Sequence, residues 1–146
     1  MTNYKPANLI ANTSIKNYQD VFDNQKNSPT INSIGRELGQ KFSEGFIKAW
    51  LINLNEMLNL NKPMTESQIN YTANYIINDK DLSRLQTVDI QLFSNQILSG
   101  QYGELYESLN PPKVLGFLSK YFNEARNAGS SINELKHLKH KQWKIK

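Results

Sequence analysis

The residues that could carry metal chemistry are few, and the only two histidines lie close together. His137 and His140 are three residues apart, so on a helix they could share one metal ion. A zinc site would still need a third and a fourth ligand, and the neighbouring lysines repel a cation. We therefore interpret the pair as part of a solvated basic face, and we predict no metal site and no cofactor.

Acidic pairs are the candidates for acid–base catalysis. Asp79 and Asp81 lie in a polar turn, and Glu104 and Glu107 lie in a tyrosine-rich one. Neither pair has the apolar surroundings that would raise the pKa of a carboxyl group. The sequence has no glycine-rich phosphate loop, no serine elbow, no HExxH and no cysteine. It predicts a protein that is not an enzyme and has no catalytic residues.

The net charge of +4 comes from a C-terminal arm, residues 130–146. This arm holds five lysines, one glutamate and no arginine, and the rest of the chain is neutral. Lysines neutralise phosphates with release of counterions, and a tryptophan can stack on an exposed base. The predicted nucleic-acid contacts are Lys136, Lys139, Lys141, Lys144 and Trp143. A solubilising tail could have the same composition, because arginine is the preferred residue for bidentate phosphate contacts. Both interpretations stay open.

An aromatic turn is the first candidate for a protein interface. Gly100 and Gly103 bracket Tyr102, and Tyr106 follows three residues later. Tyrosine is enriched at protein interfaces, so an exposed Tyr102 and Tyr106 would suit a protein partner. The structural alternative is a fixed loop between helices, whose tyrosines pack over the core and form hydrogen bonds through their hydroxyl groups.

Helices must position these candidates, because the apolar residues recur at three- and four-residue steps. This spacing predicts one long helix from Thr30 to about Leu60, which contains Gly35, Gly39 and Gly45. Gly35 and Gly39 are about one turn apart and would share a face. Such a face would let a neighbouring helix cross closely, or it would form a groove for a partner helix.

Three shorter helices are predicted to follow. The first begins at Thr65, which forms a capping box with Gln68. The second begins near Thr87, with Asp89 in its first turn, and ends before Gly100.

The third of these helices begins after Asn110, with Pro111 in its first position. Gly129 is predicted to end it, and Ser131 would then restart a helix in the arm through a second capping box.

The predicted fold class is all-α, a small bundle of four to five helices with a basic C-terminal helical arm. Residues 1–29 are polar and broken by two prolines, so we expect a flexible or loosely docked N-terminal arm. Residues 30–129 form the bundle domain, and residues 130–146 form the basic helix. No apolar run is long enough to span a bilayer, and the N-terminus lacks a signal-peptide apolar region. We expect a cytoplasmic protein with no membrane partner.

Four short motifs stand out: Met64-Thr65-x-x-Gln68, Asp89-Ile90-x-Leu92-Phe93, Gly100-x-Tyr102-Gly103-x-x-Tyr106-x-x-Leu109 and Val114-Leu115-x-x-Leu118-x-x-Tyr121. Taken together they resemble a family of small, uncharacterised helical proteins of bacteriophages and mobile elements, often encoded near replication genes, and the match covers roughly residues 34 to 126. The resemblance implies an accessory role in DNA replication, such as helicase loading or regulation. The lysine-rich arm departs from the family pattern.

The leading hypothesis is a non-enzymatic adaptor in phage or mobile-element DNA replication. It would bind a replication protein such as a helicase, in a bacterial host cell, and contact DNA through its arm. One alternative is a phage structural or assembly protein that self-associates. Another is an inhibitor of a host protein. The sequence leaves the oligomeric state open.

Overall fold

The computed structural model describes residues 14–105 and 107–144, with side chains to residue 138. All regular structure in these ranges is helical. The all-α fold class is thereby confirmed. Two short 3-10 turns accompany the α-helices, at Gln25–Asn27 and Leu82–Arg84. The α-helices are α1 (Tyr18–Asp23), α2 (Ile31–Leu38), α3 (Gln40–Leu58), α4 (Glu66–Asn78), α5 (Thr87–Leu98) and α6 (Pro111–Lys144).

The core forms where the apolar faces of α3, α5 and α6 meet. Trp50, Phe93 and Tyr121 are fully buried there. The ring centroid of Phe93 lies 6.0 Å from that of Trp50 and 5.9 Å from that of Tyr121. The indole N–H of Trp50 donates to the Ser94 hydroxyl at 2.8 Å, so its polar edge is satisfied inside the bundle. The middle third of the chain and α6 therefore supply the centre of the fold together.

The predicted helix from Thr30 to Leu60 is wrong as a single element, because it is broken at Gly39. Gly39 has a φ of 98° and a ψ of 150°, a conformation that only glycine adopts without strain. It ends α2 and begins α3. The shared helix face expected for Gly35 and Gly39 is therefore wrong. A Cβ at Gly35 would lie 3.7 Å from the Ser43 Cβ on α3, so the neighbour that approaches this glycine belongs to the same chain.

The local signals for the starts of α4 and α5 are confirmed. The Gln68 N–H donates to the Thr65 hydroxyl at 3.2 Å, and the Thr65 N–H donates to the Gln68 side chain at 2.9 Å. At α5, the Asp89 carboxylate accepts from the Gln86 N–H at 2.8 Å. Gly100 follows the end of α5 with a φ of 82°.

The helix end predicted at Gly129 is wrong, since α6 runs without interruption from Pro111 to Lys144. Asn110 caps its start by accepting from the Lys113 N–H at 3.0 Å. Gly129 is buried inside the helix, and a Cβ there would come within 2.8 Å of the Phe22 ring. The glycine serves the close approach of this ring rather than a helix stop, and the restart at Ser131 is not needed.

The N-terminal segment differs from its prediction from residue 14 onward. Ile15 and Val21 are buried in the core, and the Tyr18 hydroxyl donates to Glu124 on α6 at 3.2 Å. The Asn95 side chain on α5 donates to the Ile15 carbonyl at 2.9 Å. Residues 14–29 therefore pack on α5 and α6 as part of the bundle, while residues 1–13 lie outside the described residues.

Gly39, which caps α3, and Gly45, which lies inside it, should respond oppositely to substitution by alanine. G39A forces a side chain into a positive-φ conformation and should lower the free energy of unfolding by about 1–3 kcal/mol. Gly45 is exposed within α3, and a Cβ there meets nothing within 4 Å. G45A should therefore raise the free energy of unfolding by about 1 kcal/mol. Urea denaturation followed by far-UV circular dichroism measures both, and a stabilising G39A would contradict the break at this position.

Candidate functional site

The part of α6 that leaves the bundle carries the predicted nucleic-acid contacts. All five side chains from Glu134 to Leu138 are exposed, Lys136 among them. Lys136 has no ion-pair partner in the part of the chain that the structure describes. The backbone stays helical to Lys144, so the arm extends α6 as a rod. The side chains of Lys139, Lys141, Trp143 and Lys144 lie outside the described residues.

Two of the four candidate acids, Asp79 and Glu107, have structural partners. The Asp79 carboxylate accepts from the N–H groups of Asp81 and Leu82, at 3.1 and 2.9 Å, and thereby caps the Leu82–Arg84 turn. Glu107 accepts from the Asn61 side chain at 2.9 Å.

The histidine pair is described only in part. His137 is exposed, and the side chain of His140 lies outside the described residues. Among the side chains that are described, no three histidine, aspartate or glutamate residues converge as metal ligands would.

Tyr102 is built into the bundle. Its hydroxyl donates to the Gln96 side chain at 2.6 Å, and its ring stacks on Phe117 with centroids 5.0 Å apart. Burial raises the pKa of Tyr102, so the hydroxyl stays a donor at neutral pH. This placement corresponds to the fixed-loop alternative for the aromatic turn. Tyr106 lies outside the described residues.

Two tyrosines on α4 are more accessible than Tyr102. Tyr71 and Tyr75 are 58% and 44% exposed, and their ring centroids lie 6.3 Å apart. No sequence motif singled them out, although their four-residue spacing places them on one helix face. They form an exposed aromatic surface at residues other than the Tyr102 and Tyr106 of the predicted interface.

A buried pair joins α5 to α6. The Tyr121 hydroxyl donates to the Asp89 carboxylate at 2.8 Å, and Asp89 is only 9% exposed. The other carboxylate oxygen accepts from the Gln86 N–H. Burial raises the pKa of Asp89, and these two hydrogen bonds oppose that shift. The position of Asp89 in a first turn was predicted, but its pairing with Tyr121 was not, because 32 residues separate the partners.

A groove of about 500 Å³ lies beside this pair, at the base of the arm. We call it the arginine groove, because arginines from two separate elements line it. Arg84 comes from the Leu82–Arg84 turn and Arg126 from α6, and both are exposed. Neither guanidinium group forms an ion pair or a hydrogen bond with another described residue. The groove is also lined by Phe22, Gln25, Asp89, Phe122, Gly129 and Asn133.

The arginine groove continues into the arm along one face of α6. Its lining positions on this helix include Phe122, Arg126, Gly129 and Asn133, spaced three or four residues apart. The next positions of the same series are 136 and 137, both exposed. The free arginines and the first lysine of the arm therefore lie along one continuous surface. No sequence motif pointed to the arginines.

No protein-family model, curated protein or solved structure matches the chain. The resemblance to proteins of phages and mobile elements therefore stays a prediction. In the described ranges, no helix has both the length and the apolar character needed to cross a bilayer.

The buried carboxyl group of Asp89 should make the free energy of unfolding depend on pH in the acidic range. Because burial raises its pKa above the ordinary value of 3.8, the folded protein binds this proton more tightly than the unfolded chain does. The resulting stabilisation is full below that ordinary value and is lost as pH rises through the folded pKa. The wild-type protein should therefore gain stability relative to D89N as pH falls.

Urea denaturation of the wild type and D89N across the acidic range measures this difference. D81N removes an exposed carboxyl group and controls for the loss of one negative charge. A difference between wild type and D89N that grows in favour of the wild type as pH rises would contradict the assignment.

Proposed function

We propose that this chain is a non-enzymatic accessory protein that contacts nucleic acid through its C-terminal arm. The observation that carries the proposal is the continuity of α6 from the buried core into the lysine-bearing arm. A helix anchored in a core holds its basic residues in a fixed direction, whereas a solubilising tail has no need of such an anchor. From Glu134 to Lys144 the helix is roughly 16 Å long.

The distribution of charge supports the same proposal. The bundle is neutral, so the positive potential is concentrated at the arm and would steer the chain toward phosphates. The resemblance described above favours DNA replication in phages or mobile elements as the setting. A replication protein such as a helicase is then the proposed protein partner, for which Tyr71 and Tyr75 offer an exposed aromatic surface.

Neutralising the arm should reduce DNA binding and its salt dependence together. The variant K136Q/K139Q/K141Q/K144Q keeps the helix and removes four charges. The slope of log K against log salt should fall by about 0.9 for each duplex phosphate contact that is lost, or about 0.7 for a single strand. Fluorescence anisotropy with labelled single-stranded and duplex oligonucleotides, at several salt concentrations, measures both quantities.

A matched variant separates the arm from the overall charge. R36Q/K41Q/K62Q/K80Q removes four exposed cations of the bundle, none of which has an ion-pair partner among the described residues. It should retain most of the affinity. Equal losses in the two variants, or a wild-type protein that binds neither oligonucleotide at low salt, would refute the proposed function.

A second candidate is an assembly protein that self-associates. Leu135 and Leu138 are 59% and 56% exposed on the arm, and together they form a short apolar edge that a second helix would cover. Under this candidate, light scattering during size-exclusion chromatography should give a mass above that of one chain. L135Q/L138Q should return it to the monomer mass, and a monomeric wild type would exclude the candidate.

A further inference from the structure

We propose that the arginine groove binds one nucleotide unit of a single strand, with its phosphate on Arg84 and Arg126 and its base against Phe22 and Phe122. The inference rests on the proposed function in one respect, since it assumes that the arm and the groove serve the same strand. It also predicts that the groove binds a single free nucleotide without a contribution from the arm.

The two guanidinium groups supply the anion site. A guanidinium presents a planar fork of N–H donors that matches a phosphate in two-point contact. Arg84 and Arg126 are both exposed in the groove, and no described carboxylate pairs with either.

The backbone that presents Arg84 is held in place. The Asp79 carboxylate accepts from the N–H groups of Asp81 and Leu82, at the start of the Leu82–Arg84 turn. The Leu85 carbonyl accepts from the Ile31 N–H at 2.9 Å. The turn is therefore tied to α2 and to the end of α4. A site with one arginine on this turn and the other on α6 needs no rearrangement of the backbone to receive its ligand.

The aromatic walls suit a base. Phe22 and Phe122 are half-buried, so each retains exposed ring surface, and Phe22 is held where its edge meets Gly129. Bases stack on such rings whatever their sequence. Gln25 and Asn133 add exposed amide groups that can donate to and accept from a base edge.

Asp89 also borders the groove, but it does not act against an anion as an exposed acid would. Its two carboxylate oxygens are engaged, one by the Tyr121 hydroxyl and the other by the Gln86 N–H. Its exposed fraction of 9% leaves little of the group in the groove.

The size and position of the groove favour a single strand over a duplex. A volume of about 500 Å³ is within the range of small-ligand sites. Bases within a duplex remain stacked and paired, so only a single strand offers a free base face to Phe22 and Phe122. A strand leaving the groove would meet Lys136 next, on the same face of α6.

The test compares R84Q/R126Q with R36Q/K41Q in the full-length chain. Both variants lose two exposed cations that have no partner among the described residues. Circular dichroism and urea denaturation should show that both fold like the wild type. Anisotropy should show that R84Q/R126Q binds a short oligothymidylate roughly tenfold more weakly, with a salt slope lower by about 1.4, while the control variant stays near wild type.

The comparison with duplex DNA separates the groove from the arm. R84Q/R126Q should bind a duplex of the same length almost as well as the wild type does, because the arm carries that contact. The arm variant K136Q/K139Q/K141Q/K144Q should bind both the single strand and the duplex more weakly. Wild-type affinity of R84Q/R126Q for oligothymidylate, or an equal loss for strand and duplex, would overturn the inference while leaving the proposed function intact.

A nucleotide titration tests the groove without the arm. Thymidine monophosphate should shift the NMR side-chain amide signals of Gln25 and Asn133, whereas thymidine or inorganic phosphate alone should shift them much less. The shifts should disappear in R84Q/R126Q and weaken in F22A. This result would support the groove even if the arm bound no DNA. Oligoglutamate that shifts the same signals while the nucleotide does not would overturn the inference in favour of an acidic peptide.

Discussion

Phe93 lies where the helices of the bundle converge, and the position of α6 depends on its contacts. Its ring centroid is 6.0 Å from Trp50 on α3, 5.7 Å from Tyr102 and 5.9 Å from Tyr121 on α6. Aromatic pairs at such separations stabilise a fold by roughly 0.5–1.5 kcal/mol each beyond the burial of their area. The cluster therefore fixes α6 against α3 and α5. Because α6 is one continuous helix, the cluster also fixes where the arm points.

The polar edges of these rings constrain the core as much as the rings themselves. Trp50 donates to Ser94, Ser94 donates to the Ile90 carbonyl, and Tyr121 donates to Asp89. A buried polar group left without a partner costs about 1–3 kcal/mol, so each of these bonds disfavours any other packing of the same residues. Asp89 has a further consequence for function. Asp89, which holds Tyr121, also borders the arginine groove, so the anchor of α6 and the candidate site share one residue.

Helix starts could be read from the sequence, because a cap is a hydrogen bond between residues three positions apart. Thr65 and Asn110 accept from backbone N–H groups within their own first turns, as their sequence contexts indicated. The glycines could not be read in this way, since glycine adopts both helical and positive-φ conformations. Gly39 breaks a helix that its apolar pattern would have continued, and Gly129 continues a helix that it was expected to end. The ring that packs on Gly129 belongs to Phe22, more than a hundred residues away.

The same distinction applies to function. The sequence by itself determined that the bundle is helical and neutral and that the positive charge is confined to residues 130–146, because composition and apolar spacing are local properties. Only the tertiary structure decided that the arm continues a helix of the core, and only it brought Arg84 and Arg126 to one groove. Forty-two positions separate these arginines, and their juxtaposition follows from how α6 packs beside the turn before α5. Such packing depends on the shapes of many distant side chains at once, and no local pattern encodes it.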